Sequence, residues 1–123
     1  MSVIELTQDT FQEATLAEKP LIIDFWAPWC GPCRQFGPVF EAAAEKHDDV
    51  TFAKINTEEQ QELAAALRIR SIPTLMVFRE NVLLFQQAGA LPAPQLDELI
   101  TQVKAVDMQQ VHDCNLPSAI TST

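Results

Sequence analysis

The sequence predicts an α/β domain in which a mixed sheet of about five strands is flanked by about four helices. Three observations carry that expectation. Leu21-Ile22-Ile23-Asp24-Phe25-Trp26-Ala27 is apolar on both alternating faces, as a strand covered on two sides must be. Runs of this kind alternate with segments of helical spacing. Near the end, two strand-like runs stand back to back across Arg79-Glu80-Asn81, so at least one pair of strands is antiparallel.

In chain order the elements read β-α-β-α-β-α-β-β-α, with no internal repeat. Asp9 to Leu16 is the first helix candidate, and the Leu21–Ala27 strand follows. From Cys33 a helical spacing runs through Phe36, Phe40 and Ala43 or Ala44 and ends near His47. A histidine there complements the negative end of the helix dipole. Pro38 falls inside this helix and should kink it. Val50 to Ile55 reads as a second core strand. Thr57 and Gln60 match a capping box that would open a helix burying Leu63 and Leu67. Ile72-Pro73 leads into the strand Thr74–Phe78, and Asn81 is the natural place for a positive φ before Val82–Gln87. Leu96, Leu99, Ile100 and Val103 form a last amphipathic helix, introduced by Pro92 and Pro94. Periodicity fades after Ala105. Residues 1–106 therefore read as the single domain and residues 107–123 as a polar, flexible tail.

A length of 123 residues suits one domain, and 47% hydrophobic residues are too many for a disordered chain. The net charge of −9 comes from 17 acidic against 8 basic residues, and the basic residues are scattered. Nucleic-acid binding, which needs a basic stripe to replace phosphate counterions, is not expected. The acidity confers solubility and biases the choice of protein partners. No apolar run reaches the ~18–20 residues that span a bilayer. No secretory signal is visible at Met1-Ser2-Val3-Ile4-Glu5, so no membrane association is expected and the cytoplasm is the expected compartment. Three cysteines are too few for a disulfide scaffold. In a reducing compartment a tightly spaced pair is catalytic or metal-binding rather than structural.

That pair is Cys30 and Cys33, in Trp29-Cys30-Gly31-Pro32-Cys33 between a buried strand and a helix start. A disulfide exchanger needs two thiols close enough to bridge, the first exposed and ionised. The two-residue spacing allows a small ring, and the helix N-terminus offers unpaired N–H groups and a positive dipole end. Both favour a thiolate on Cys30, with Cys33 shielded one turn deeper as the resolving thiol. Pro32 is tolerated because a first-turn residue needs no backbone N–H. A structural zinc would need two more ligands, and the spare candidates Cys114, His112 and His47 are poorly placed, so no metal is expected. Asp24 lies mid-strand between Ile22 and Trp26, where an isolated carboxylate is costly to bury and its pKa should rise. Lys54 shares a strand face with Val50 and Phe52 and can point inward. Trp26 reads mainly as core. Cys114 is an odd thiol in the tail, read as adventitious.

Asp24-Phe25-Trp26-Ala27-Pro28-Trp29-Cys30-Gly31-Pro32-Cys33, the Ile72-Pro73-Thr74 segment and Gly89, in that order and spacing, resemble the thioredoxins over roughly residues 1–106. The resemblance implies the thioredoxin fold and a cytoplasmic protein-disulfide reductase active as a monomer. It implies that Cys30 attacks a substrate disulfide, that Cys33 resolves the mixed disulfide, and that Asp24 exchanges a proton with Cys33 while Lys54 modulates Asp24. It further implies a cis peptide bond before Pro73, exposing the backbone of Ile72 to an extended substrate. Trp29, Gly31, Pro32, Ile72, Pro73, Gly89 and Ala90 would form a flat apolar rim around Cys30. No bound cofactor is implied beyond the reversible Cys30–Cys33 disulfide. The flavin and NADPH would belong to a thioredoxin reductase that restores the dithiol. Ser71 stands where many relatives carry glycine, and as serine is small little effect is expected; Asn81 stands in the hairpin where a glycine is usual. The rival readings are a dithiol oxidase or isomerase on the same fold, and a binding module recruited for its surface.

Overall fold

The computed structural model describes residues 3–106 and Met108. The expected tail of residues 107–123, with Cys114, lies outside the described residues apart from Met108. Among the described residues the order is β1 (Val3–Glu5), α1 (Gln8–Thr15), β2 (Leu21–Trp26), α2 (Gly31–Lys46), β3 (Thr51–Asn56), α3 (Gln61–Ala66), β4 (Thr74–Arg79), β5 (Val82–Ala88) and α4 (Ala93–Lys104). The strands form one sheet in the order β1-β3-β2-β4-β5. Parallel pairing joins β1, β3 and β2, whereas β2–β4 and β4–β5 are antiparallel. The mixed sheet with four helices is the predicted fold class.

Strand β2 is central, which explains its apolar run. Its period of two sends alternate residues to opposite layers. Ile22 packs with Phe52, Leu75 and Val77 against Phe36 and Phe40 of α2 and Leu96 and Ile100 of α4. Leu21, Ile23 and Phe25 join Ala53, Ile55 and Met76 on the other face, with Phe11 of α1 and Leu63 of α3. Phe40 is the hinge of the first layer, its ring centroid 5.7 Å from Phe36 and 5.2 Å from Phe52. Phe40→Ala is expected to cost about 3–5 kcal/mol, the usual range for emptying an aromatic site in a packed core. Urea unfolding would show this as a lower midpoint at unchanged slope.

Helix α2 runs unbroken through Pro38. The proline removes the hydrogen bond that the Arg34 carbonyl would receive, and Gly37 before it carries no Cβ to meet the pyrrolidine ring. At its end His47 does more than face the dipole. Its Nε2 lies 3.3 Å from Asp97 Oδ1 of α4, and Lys104 Nζ donates to its Nδ1 at 3.2 Å. Lys46 completes the clasp between α2 and α4, bonding Asp97 at 2.7 Å.

One local reading is corrected and another is borne out and extended. The Thr57–Gln60 capping box does not form: Thr57 Oγ1 donates to the Trp26 carbonyl at 3.1 Å, and Gln60 Oε1 accepts from the Gln8 N–H at 2.9 Å. The turn is made instead by Asn56, whose Oδ1 accepts the backbone N–H of Glu58 and Glu59, and α3 begins only at Gln61. A capping box does close α1, between Thr7 and Thr10. At the β4–β5 turn Asn81 has the expected positive φ of 66°, but Glu80 shares it at 53°. A two-residue type I′ connection needs both. Thr15 holds Asn81 there, accepting its N–H on the backbone carbonyl and donating to its Oδ1.

Candidate active site

The loop after β2 turns back at Ala27, whose carbonyl accepts the N–H of Cys30 at 3.1 Å. Cys30 is the N-cap of α2, so the helix starts at Gly31 rather than at Cys33. Its Sγ accepts the N–H of Cys33 at 3.2 Å, the place a capping oxygen would take. Cys30 and Cys33 are joined by a disulfide with Cα atoms 5.2 Å apart. A charge on Cys30 Sγ, once the pair is reduced, would face an N–H donor and the positive end of α2, while Cys33 within the first turn has no such place. The expected contrast in exposure is not seen in the oxidised pair. Cys30 is 5% and Cys33 3% exposed, because Ala27, Trp26 and Ile72 close over both.

The second wall is the loop before β4. The Ile72–Pro73 bond is cis. The carbonyl oxygen of Ile72 lies 3.8 Å from Cys30 Sγ. Gly89, at φ 102°, donates its N–H to the Pro73 carbonyl at 2.7 Å, which fixes the end of β5 beside the same loop. The fold therefore brings Cys30, Ile72, Pro73 and Gly89 together. Trp29 stands 66% exposed above them, with Gly31, Pro32, Gly89 and Ala90 also open to solvent, Ile72 half-buried and Pro73 buried.

Asp24 lies beneath this surface on the α2 side of β2, in register with Lys54 of β3 and Leu75 of β4. It is buried, and its Oδ1 has no hydrogen-bond partner among the described residues. Desolvation pushes its pKa up from 3.8 to about 7, against the opposing pull of the Lys54 ammonium. Lys54 is half-buried on the same sheet face and does point inward, its Nζ 5.2 Å from the centroid of the Trp26 ring. Trp26 is only half-buried, and its indole N–H is also without a partner among the described residues.

One feature of the site has no counterpart in the sequence reading. A shallow groove of about 170 Å³ opens next to Cys30, lined by Trp29, Thr57, Ile69, Arg70, Ser71 and Ile72. These residues come from three separate stretches of chain, so no local spacing could have announced it. No group of three or more His, Cys, Asp or Glu residues that could hold a metal is found among the described residues. Nor is any helix among them long and apolar enough to cross a membrane.

The thioredoxin family model matches residues 2–114. A thioredoxin 2 of Streptomyces coelicolor is 51% identical over 110 residues, covering 89% of this chain and 82% of that protein. The thioredoxin of Alicyclobacillus acidocaldarius is 43% identical over 103 residues, covering 83% of this chain and 98% of its own. Among solved structures, the thioredoxin of Malassezia sympodialis superposes with a TM-score of 0.75 at 38% identity, covering 82% of this chain and 90% of that one.

Proposed function

The chain belongs to the thioredoxin family, and from that premise we propose how its residues divide the work of reducing a disulfide. It is a thiol-disulfide oxidoreductase, a protein-disulfide reductase that acts on disulfide-containing substrates and is restored by a reductase partner. The observation that carries the division of labour is Cys30 Sγ at the cap of α2, accepting the Cys33 N–H.

In the reduced protein the Cys30 thiolate attacks one sulfur of the substrate disulfide. That S–S bond breaks, the departing substrate sulfur takes a proton, and a mixed disulfide forms. Asp24 accepts the proton of Cys33. The Cys33 thiolate then attacks Cys30 Sγ, the mixed disulfide breaks, and the second substrate sulfur leaves as a thiolate that is protonated from water, while Asp24 returns its proton to solvent. Two electrons have passed to the substrate, and Cys30–Cys33 holds the oxidised pair. Lys54 acts through Asp24, holding its pKa below where burial alone would set it. Trp29, Gly31, Pro32, Ile72, Pro73, Gly89 and Ala90 form the face on which the substrate lies, with the Ile72 backbone pairing to an extended segment. No cofactor needs to bind this chain: a thioredoxin reductase supplies electrons from NADPH through its own flavin. Residues 1–106 form the working domain, a monomer in the cytoplasm, where it serves electron transport and redox homeostasis.

The reduction potential of the Cys30–Cys33 pair tests this direction of flow. Equilibration with defined dithiol buffers, followed by thiol alkylation, is expected to place it near about −270 mV, the reference value for thioredoxins themselves. A value near about −120 mV would mean that the protein makes disulfides. The absence of any reversible couple would remove the reductase reading.

A further inference from the structure

We infer that the groove beside Cys30 selects substrates carrying an acidic residue next to the disulfide, with Arg70 as the specificity-determining side chain. The inference rests on the reductase reading and adds a substrate class to it. The groove shares Trp29 and Ile72 with the site, and the Ile72 carbonyl lies 3.8 Å from Cys30 Sγ, so a segment paired to the Ile72 backbone and reaching Cys30 meets it. Trp29, Ile69 and Ile72 supply apolar walls, Thr57 and Ser71 hydroxyls, and Arg70 the only cationic side chain in the lining. Arg70 is exposed and makes no hydrogen bond or ion pair among the described residues. With no partner among the described residues, its guanidinium can meet a ligand.

Charge distribution points the same way. The chain as a whole carries −9, yet Leu67-Arg68-Ile69-Arg70-Ser71 carries two positive charges and no negative one. The basic residues are thus less evenly scattered than the sequence reading held. Arg68 is also kept where its backbone is unfavourable. It sits just past the end of α3 at φ 58°, with its N–H on the Ala65 carbonyl and that of Ile69 on the Ala64 carbonyl. This helix-ending arrangement favours glycine, because a Cβ is strained in the left-handed region. An acidic flanking residue is attracted by the Arg70 guanidinium and a basic one repelled, which gives the preference its sign.

The test uses two synthetic peptides with the same intramolecular disulfide, differing only in Glu or Lys at the flanking residue. The quantity read is the ratio of their kcat/KM values for reduction by the intact protein. The Glu peptide is expected to be favoured about three- to five-fold at low salt, the size of an exposed ion pair. The ratio should approach one in 1 M salt, where screening acts within about 3 Å. Arg70→Glu is expected to invert the ratio and Arg70→Lys to keep its direction. A wild-type ratio of one, or a ratio unchanged in Arg70→Glu, overturns the inference. Uncharged 2-hydroxyethyl disulfide separates the two levels of argument. If it is reduced while the peptide ratio is one, only the selectivity fails; if the wild-type protein does not reduce it, the reductase reading fails.

Discussion

Cys33→Ser is expected to abolish turnover and to leave substrate proteins covalently attached to Cys30. The geometry separates the two sulfurs before any chemistry happens. Cys30 Sγ caps α2 and receives the Cys33 N–H, whereas Cys33 is buried within the first turn. The serine variant keeps the attacking thiolate and its donor, since the donor is the backbone N–H of residue 33. It loses only the sulfur that would break the mixed disulfide. The first half of the cycle therefore proceeds and the second cannot. The expected loss of turnover is at least about 10³-fold, since removing one member of a reacting pair costs nearly as much as removing both. Incubation with a cell lysate, followed by non-reducing electrophoresis, should show adducts that disappear on adding dithiothreitol. Cys30→Ser should show none. A lysate without adducts on Cys33→Ser, or equal adducts on both variants, would contradict the assignment of roles.

The fold was legible because its main signals are local. The two-sided apolar run of β2 implies a central strand, and the sheet order places it third of five. Phe36, Phe40, Ala43 and Ala44 mark the buried face of α2 by spacing alone. The failures fall where a side chain found a distant partner in place of a near one. Thr57 and Gln60 have capping-box chemistry, but the fold brings the Trp26 carbonyl and the Gln8 N–H within their reach, and Asn56 turns the chain first. Glu80 gave no hint of a positive φ, because the two-residue hairpin imposes it whatever the side chain.

The site divides in the same way. Cys30, Cys33 and Asp24 stand in a single stretch whose residue types are chemically unusual for their places, so they were readable as a set. Of the residues that only the folding back of the chain brings there, Ile72, Pro73 and Gly89 were reached through the resemblance, and Thr57, Ile69 and Arg70 were not reached as site residues. Arg70 and Ser71 lie beside the segment that the resemblance picked out, and Thr57 belongs to the misread capping box. Only the meeting of the β2–α2, β3–α3 and α3–β4 loops makes a groove of them. The exposure of Cys30 was also misjudged, since the helix-cap argument concerns charge and says nothing of the side chains that close over the oxidised pair.

Asp24→Asn should make the protein more stable above neutral pH and slower in the same range, and the two effects have one cause. The folded-state pKa of about 7 lies above the ordinary value of 3.8, so between these values the folded chain holds a proton that the unfolded chain has released. The stability contributed by this proton is fully present below pH 3.8 and is lost as pH rises through 7. Above that, the charged and buried carboxylate costs on the order of 4 kcal/mol relative to a neutral group, each tenfold change between 3.8 and about 7 being worth about 1.4 kcal/mol. An amide of the same shape does not ionise. Urea unfolding of the two proteins should therefore agree near pH 3.5 and diverge toward pH 8.5, with the asparagine variant ahead. That amide also cannot take a proton from Cys33. Resolution of the mixed disulfide should slow by about 10²-fold at pH 7, within the usual range for a lost general base. The gap should narrow above about pH 8.5, where a cysteine thiol ionises unaided. Stopped-flow decay of a preformed Cys30 mixed disulfide reads this step directly. A rate deficit equal at every pH would leave Asp24 as a buried charge without a part in proton transfer. Matching unfolding midpoints at pH 8.5 would show that the carboxylate is not held in the buried environment that the sheet gives it.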